Sequence, residues 1–84
     1  MKNFTIRWWE IDLIAEKNGI IHFIEVKWTT KNFAFQDYIT KWKVKALERT
    51  AKMWIAKNEK YEWYQFDLVL VNWENIELIE NFLF

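Results

Sequence analysis

Apolar and polar positions alternate along the first third of the chain and predict extended structure there. Residues 4–15 are expected to form either one long strand or two pieces with an irregularity near Trp8 and Trp9. Residues 16–19 end in Asn-Gly and predict a tight turn into a strand over residues 20–28. Apolar residues on both faces of this second strand indicate a central position in a sheet. The two segments should therefore pair as an antiparallel hairpin.

Residues 36–58 contain the only long helical pattern in the sequence. Apolar or small side chains recur there at steps of three and four residues and form one stripe, namely Ile39, Trp42, Ala46, Leu47, Thr50, Met53 and Trp54. Asp37 or Thr40 is suited to cap the helix N-terminus. The rest of the chain is expected to form a loop, a strand, a turn and a short final strand, at residues 29–35, 64–72, 73–75 and 76–79. The order β-β-(β)-α-β-β predicts a mixed α/β (α+β) fold.

The composition is that of one small globular domain over residues 1–84. Hydrophobic residues make up 52% of the chain, which excludes an intrinsically disordered tail. The absence of cysteine excludes disulfides and thiolate zinc sites, and it fits a reducing cytoplasm. No apolar run approaches the roughly 20 residues of a membrane-spanning helix, and no signal peptide is expected at the start.

The formal net charge is zero, but the charges are unevenly distributed. Residues 27–60 contain nine Lys or Arg and three acidic residues, whereas residues 61–84 contain five acidic residues and no Lys or Arg. A small domain with one basic element can offer a local surface for phosphate. The predicted nucleic-acid-binding residues are four cations of the helix, Lys41, Lys43, Lys45 and Arg49. The alternative is a helix face that is simply solvated.

Two extended runs carry ionisable residues two positions apart among apolar side chains. Glu10 and Asp12 share one strand face, and Glu25 and Lys27 share a face of the next strand. Such charges need partners, a metal or exposure at a cleft, and a hairpin that joins them would suit a divalent cation and a water nucleophile. A structural ion pair across the hairpin is the alternative. His22 has the opposite parity to Glu25 and Lys27, and this favours a packed histidine over a metal ligand.

These runs belong to a set of six short motifs that follow one another through nearly the whole chain. They are Asn3-Phe4, residues 10–15 (EIDLIA), residues 23–27 (FIEVK), Thr40-x-x-Lys43, Phe66-Asp67-Leu68-Val69-x-Val71 and Ile76-x-x-Ile79-x-Asn81-x-Phe84. In this order the motifs resemble the bacterial YraN-like family of predicted endonucleases. That family is similar to the archaeal Holliday-junction resolvases and belongs to the PD-(D/E)xK nuclease superfamily.

The resemblance implies a restriction-endonuclease-like mixed sheet with one long helix, and an enzyme that hydrolyses phosphodiester bonds of DNA, including branched junction DNA. It assigns Asp12 and Glu25 as ligands of Mg²⁺ or Mn²⁺, with the backbone carbonyl of Val26 as a third ligand. It assigns Lys27 to orienting the attacking water, and Glu10 matches the glutamate that precedes the family's aspartate. A junction resolvase needs paired active sites, so the resemblance also implies a homodimer.

The chain departs from the family in two respects. By comparison, the family's first helix and most of its first strand are expected to be absent before Met1. This would leave one sheet face bare and favour oligomerisation, burial of that face by the Trp residues, or a poorly stable fragment. Trp9 stands where the family has glycine, and stop codons decoded as glycine are one explanation for Trp8, Trp9 and Trp73. These departures keep a second function open, that of a catalytically inactive module that binds nucleic acid or associates with itself.

Overall fold

The computed structural model describes residues 2–9, 11–29 and 39–83, and it describes side chains from residue 8 onwards within those ranges. In this part of the chain, one sheet has five strands in the order β1-β2-β3-β4-β5. The strands are β1 (Lys2–Trp8), β2 (Ile11–Lys17), β3 (Ile20–Trp28), β4 (Trp63–Val71) and β5 (Ile76–Ile79). Helix α1 (Lys41–Lys57) lies between β3 and β4 in sequence. The fold is therefore α+β with a mixed sheet, as predicted, and it is compatible with a restriction-endonuclease-like fold.

The sheet is antiparallel except at one pair of strands. β3 runs parallel to β4, whereas β1 with β2, β2 with β3, and β4 with β5 are antiparallel. The β2–β3 turn is made by Asn18 and Gly19, with φ of 53° and 80°. Two consecutive positive φ values are what a two-residue hairpin turn requires, and Asn-Gly adopts them readily. The parallel β3–β4 pair instead requires a long crossover connection, which contains α1.

The strand predictions agree closely with the structure, while the helix is shorter than predicted. The irregularity near Trp8 and Trp9 is a chain reversal between β1 and β2, so the two-piece alternative is correct. The helix begins at Lys41, because Thr40 has extended dihedrals and its Oγ1 accepts a hydrogen bond from Lys43 N at 3.1 Å. Thr40 is thus the N-cap, and it was one of the two residues predicted for that position. Asp37 and all but the first residue of the predicted 29–35 loop lie outside the described residues.

The core lies between α1 and one face of the sheet. It contains Ile11, Ile14, Ile21, Phe23, Leu47, Ala51, Trp54 and Phe66. The predicted helix stripe was partly wrong, because Trp42 is 73% exposed and Met53 is also exposed, whereas Ala51 is buried. The buried face of α1 is therefore rotated away from Trp42, and it carries Leu47, Thr50, Ala51 and Trp54.

The opposite face of the sheet carries apolar side chains that remain in contact with solvent. The strand register places them in two rows, Val26–Val69–Leu78 and Trp28–Val71–Ile76, and we call these six residues the open face. Val26, Trp28, Ile76 and Leu78 are exposed, and Trp28 also contacts the exposed Trp73 with ring centroids 5.3 Å apart. This end of the sheet therefore presents apolar side chains to solvent. In the described ranges, no helix is long and apolar enough to cross a membrane.

Trp9, at the chain reversal between β1 and β2, has φ of 55° and is 67% exposed. This is the left-handed region, in which a residue with Cβ is strained and glycine is not. Among Trp8, Trp9 and Trp73, only Trp9 has a positive φ. The backbone therefore favours glycine at Trp9, the residue that directly precedes Glu10.

We predict that Trp9→Gly raises the free energy of unfolding by about 1 kcal/mol, because glycine relieves the left-handed strain. Urea denaturation followed by circular dichroism measures this change. Gly19→Ala is the matched control, since Gly19 also has a positive φ, of 80°, and its replacement should lower stability by a similar amount. A loss of stability in Trp9→Gly would instead show that the edge-on contact between Trp8 and Trp9 outweighs the strain.

Candidate functional site

Asp12 lies where β2 separates from β3. The pairing of the two strands runs from Lys17↔Ile20 to Leu13↔Ile24 and goes no further. Beyond that point a side-chain hydrogen bond joins the two strands: Asp12 Oδ2 accepts from Val26 N at 2.9 Å. This bond ties Asp12 to the residue between Glu25 and Lys27. The structure therefore brings the first acidic motif against the second.

Glu25 is a buried carboxylate on the sheet face that carries α1. The residue is 5% exposed, and its Oε2 lies 3.0 Å from the Nζ atom of Lys43 on the helix. A buried carboxylate without a partner is costly, so this ion pair offsets part of the cost of burying Glu25. Phe23 lies two residues before Glu25 and is part of the core on the same face. The period of two along β3 thus positions Glu25 under the helix.

Lys27 belongs to the same sheet face as Glu25 by strand alternation, because it follows Glu25 by two residues. Asp12 is tied to the strand between them by its bond to Val26 N. The side chains of Lys27 and Asp12 are partly exposed, unlike Glu25. Glu10, the fourth residue predicted for the site, lies outside the described residues. The described site thus consists of Glu25 and Lys27 on β3, with Asp12 bonded to the backbone between them and Lys43 of α1 paired with Glu25.

The four cations predicted to bind nucleic acid do not form one group. Lys41, Lys45 and Arg49 are exposed, and their spacing of four residues places them along one side of α1. Lys43 is turned towards the sheet instead and contacts Glu25. The helical pattern of the sequence did not indicate the contact between Lys43 and Glu25. The Thr40-x-x-Lys43 motif was the available signal, since Thr40 caps the helix turn that carries Lys43.

A second polar cluster lies on the other face of the sheet and is built around Asp67. Asp67 Oδ2 lies 2.6 Å from His22 Nδ1, and Oδ1 accepts from Gln65 Nε2 at 2.7 Å and from Asn81 N at 3.0 Å. His22 is buried, as expected from its parity. Asp67 thereby links β3, β4 and the turn after β5.

Glu80 joins this cluster from the protein surface. One donor atom from each of His22, Asp67 and Glu80 lies within 4.8 Å of the others, a spacing that a metal ion would allow. Both oxygens of Asp67 already accept hydrogen bonds from the protein. The geometry therefore fits a structural network that holds the C-terminal turn against the sheet.

In the described ranges, a mixed sheet, a packed crossover helix and a carboxylate–lysine pair between them define a small α+β domain with a candidate cation site. The family model described as "Uncharacterised protein family UPF0102" matches residues 1–71. Individual UPF0102 proteins also align with nearly the whole chain. The chain therefore belongs to the UPF0102 family, which confirms the YraN-like resemblance at the level of the family.

The relatives are UPF0102 proteins of several bacteria. One from Campylobacter hominis is 42% identical over 80 residues, covering 95% of this chain and 71% of the relative. One from Campylobacter concisus is 41% identical over 81 residues, covering 95% of this chain and 72% of the relative. One from Nitratiruptor sp. is 42% identical over 80 residues, covering 95% and 70% respectively. The names of these relatives state the family and no activity.

We predict that Asp67→Ala lowers the free energy of unfolding by about 3 kcal/mol, because it leaves His22, Gln65 and the Asn81 amide without their acceptor. Chemical denaturation measures the loss. Glu80→Ala is the matched control, and it should change stability by less than about 0.5 kcal/mol. If Zn²⁺ or Mn²⁺ stabilised the wild-type protein and Glu80→Ala abolished that gain, the cluster would be a metal centre and not a structural network.

Proposed function

We propose that this protein is a metal-dependent nuclease that hydrolyses phosphodiester bonds of DNA, with branched DNA as the candidate substrate. One observation carries the proposal: the Asp12 carboxylate is hydrogen-bonded to the backbone of the Glu25-Val26-Lys27 motif. Through this contact Asp12, which lies 13 and 15 residues before Glu25 and Lys27 in sequence, is bonded to the residue between them. Membership in a YraN-like family supports the same assignment.

The residues at the site have the donor atoms that the implied cation requires. Mg²⁺ and Mn²⁺ prefer hard oxygen ligands, and Asp12 and Glu25 supply carboxylate oxygens, with the Val26 carbonyl between Glu25 and Lys27 as a third candidate. Glu25 is buried and already paired with a cation, so its surroundings accommodate positive charge. We therefore assign Asp12 and Glu25 as ligands of Mg²⁺ or Mn²⁺.

The proposed mechanism divides the chemistry between the cation and the side chains. A bound Mg²⁺ or Mn²⁺ would polarise the phosphoryl group and lower the pKa of a bound water. Asp12 is oriented by the Val26 amide and Glu25 by its packing beneath α1, so the ligands are fixed by the fold before binding. Lys27, on the same face as Glu25, would orient the attacking water and offset the negative charge that develops on the phosphate.

The exposed cations of α1 supply the proposed nucleic-acid contacts. Lys41, Lys45 and Arg49 lie along one side of the helix, and Lys43 lies in the same first turns but faces Glu25. Contacts of this kind bind the phosphate backbone and carry no base specificity. We therefore propose that substrate selection depends on the shape and charge of the DNA backbone.

We predict that purified protein cleaves linear or four-way-junction DNA with Mg²⁺ or Mn²⁺, and that Asp12→Asn and Glu25→Gln each lower the rate about 100-fold or more. Each substitution removes a ligand charge while keeping the side chain's shape. Gel assays with and without EDTA measure cleavage. The control is Glu16→Gln, on the same strand as Asp12, which accepts a hydrogen bond from Gly19 N and should retain activity.

Cleavage that persists in both Asp12→Asn and Glu25→Gln would contradict the assigned site. DNA that is bound in retardation assays but never cut, with either metal, would support the inactive binding module instead. Such binding should weaken steeply with salt, because it depends on phosphate contacts.

The open face favours a second candidate function, self-association as a homodimer. Its exposed Val26 and Trp28 on β3 and Ile76 and Leu78 on β5 are joined by Val69 and Val71 on β4 into one apolar surface. Contiguous apolar surface of this kind marks protein interfaces in soluble proteins. Because the face lies opposite α1, a dimer formed through it would leave both candidate cation sites accessible. The two functions are therefore compatible, and a two-fold dimer would present the paired sites that junction cleavage requires.

We predict that Leu78→Lys converts a dimer into a monomer, because it places a charge within the apolar surface. Light scattering coupled to size-exclusion chromatography measures the mass. Glu77→Lys is the matched control on the same strand, since Glu77 pairs with Leu70 and belongs to the other sheet face. A wild-type protein that remains monomeric at high concentration would contradict the homodimer but not the nuclease.

A further inference from the structure

The pair formed by Glu25 and Lys43 places a positive charge at the candidate cation site. Lys43 Nζ lies 3.0 Å from Glu25 Oε2, and the two side chains are 22% and 7% exposed, respectively. The contact is therefore largely removed from solvent on the carboxylate side and remains partly open on the lysine side. An exposed pair would be worth little, but a pair with a buried partner is screened much less.

The orientation of Lys43 follows from the register of α1 and is not a chance surface contact. Lys43 precedes the buried Leu47 by four residues and the buried Thr50 by seven, so it lies on the face of the helix that packs on the sheet. Its backbone amide donates to the N-cap Oγ1 of Thr40, which fixes the first helical turn. The neighbouring Trp42 and Lys45 are exposed. One lysine of the basic helix is thus selected by the fold to contact Glu25.

We propose that Lys43 is a built-in competitor for the divalent cation: its ammonium group neutralises Glu25 in the metal-free protein and must leave Oε2 when a cation binds. This inference rests on the proposed function, because it takes Glu25 as a metal ligand. A divalent cation would bind the carboxylate at about 2.0–2.6 Å, so an ammonium group on the same carboxylate would be a close like charge. The Lys43 side chain is partly exposed and is attached through a flexible stem, so it can move towards solvent.

The competition allows Lys43 and a divalent cation to replace each other as the partner of the Glu25 carboxylate. Without metal, Lys43 stabilises the fold by compensating a buried carboxylate, and with metal the cation performs that role. The same carboxylate therefore has a partner in both states, and the protein does not depend on a bound metal in order to fold. The cost is a weaker apparent affinity for the metal, because binding must first displace the lysine.

Calorimetric titration with Mn²⁺, together with thermal unfolding with and without Mn²⁺, tests the proposal. Lys43→Met should lower the melting temperature of the metal-free protein, tighten Mn²⁺ binding about tenfold, and increase the rise in melting temperature on adding Mn²⁺. The matched control is Lys52→Met, an exposed lysine of the same helix, which should behave as wild type in all three measurements. If Lys43→Met does not fold, Lys43→Gln is measured with the same expected direction.

The outcomes separate this inference from the proposed function. If wild-type protein binds Mn²⁺ through Asp12 and Glu25, but Lys43→Met binds it equally or more weakly, the competition is wrong and the metal site stands. A loss of stability that is the same with and without Mn²⁺ would show that Lys43 is only a structural partner. If neither wild type nor Lys43→Met binds Mn²⁺, the metal site itself fails, and the proposed function fails with it.

Discussion

The parallel pairing of β3 with β4 is the constraint on which the rest of the structure depends. Parallel strands cannot be joined by a tight turn, so the chain between them must cross a face of the sheet. Helix α1 lies in this crossover and covers the face that carries Phe23 and Phe66. Because side chains alternate along β3, Glu25 is then buried beneath the same helix, next to Lys43. The core and the candidate site are thus consequences of one connection.

The strands were predictable from sequence because their signals are local. The Asn-Gly turn and the alternation around it fix β2 and β3, and the turn at residues 73–75 fixes β5. The parallel partner of β3 was not predictable in this way, since β4 lies about 40 residues further along the chain. Which face of α1 is buried was also predicted only in part. Hydrophobicity alone ranked Trp42 and Met53 with Leu47, although the sheet contacts a different side of the helix.

At the candidate site, too, the sequence indicated contacts within one strand and missed contacts between distant elements. Period-two alternation correctly grouped Glu25 with Lys27 and separated both from His22. It could not identify Lys43 as the partner of Glu25, because a lysine on a helix is normally assigned to the solvent side. A buried carboxylate reverses that preference, since the desolvated charge must be compensated by a cation from whichever element packs above it. Only the position of α1 on the sheet shows that this cation is Lys43.

The sheet separates two kinds of surface, and this separation decides how the candidate functions relate. Glu25 and the basic residues of α1 lie on the helix side, whereas Trp28, Val71 and Ile76 form an apolar row on the other side. Burying the open face in an interface would not require Glu25 or these basic residues to lose solvent. Binding a phosphate backbone along α1 would likewise leave the open face unchanged. Association and phosphodiester chemistry would therefore place independent demands on the sequence, although both depend on the same five-stranded sheet in the described residues.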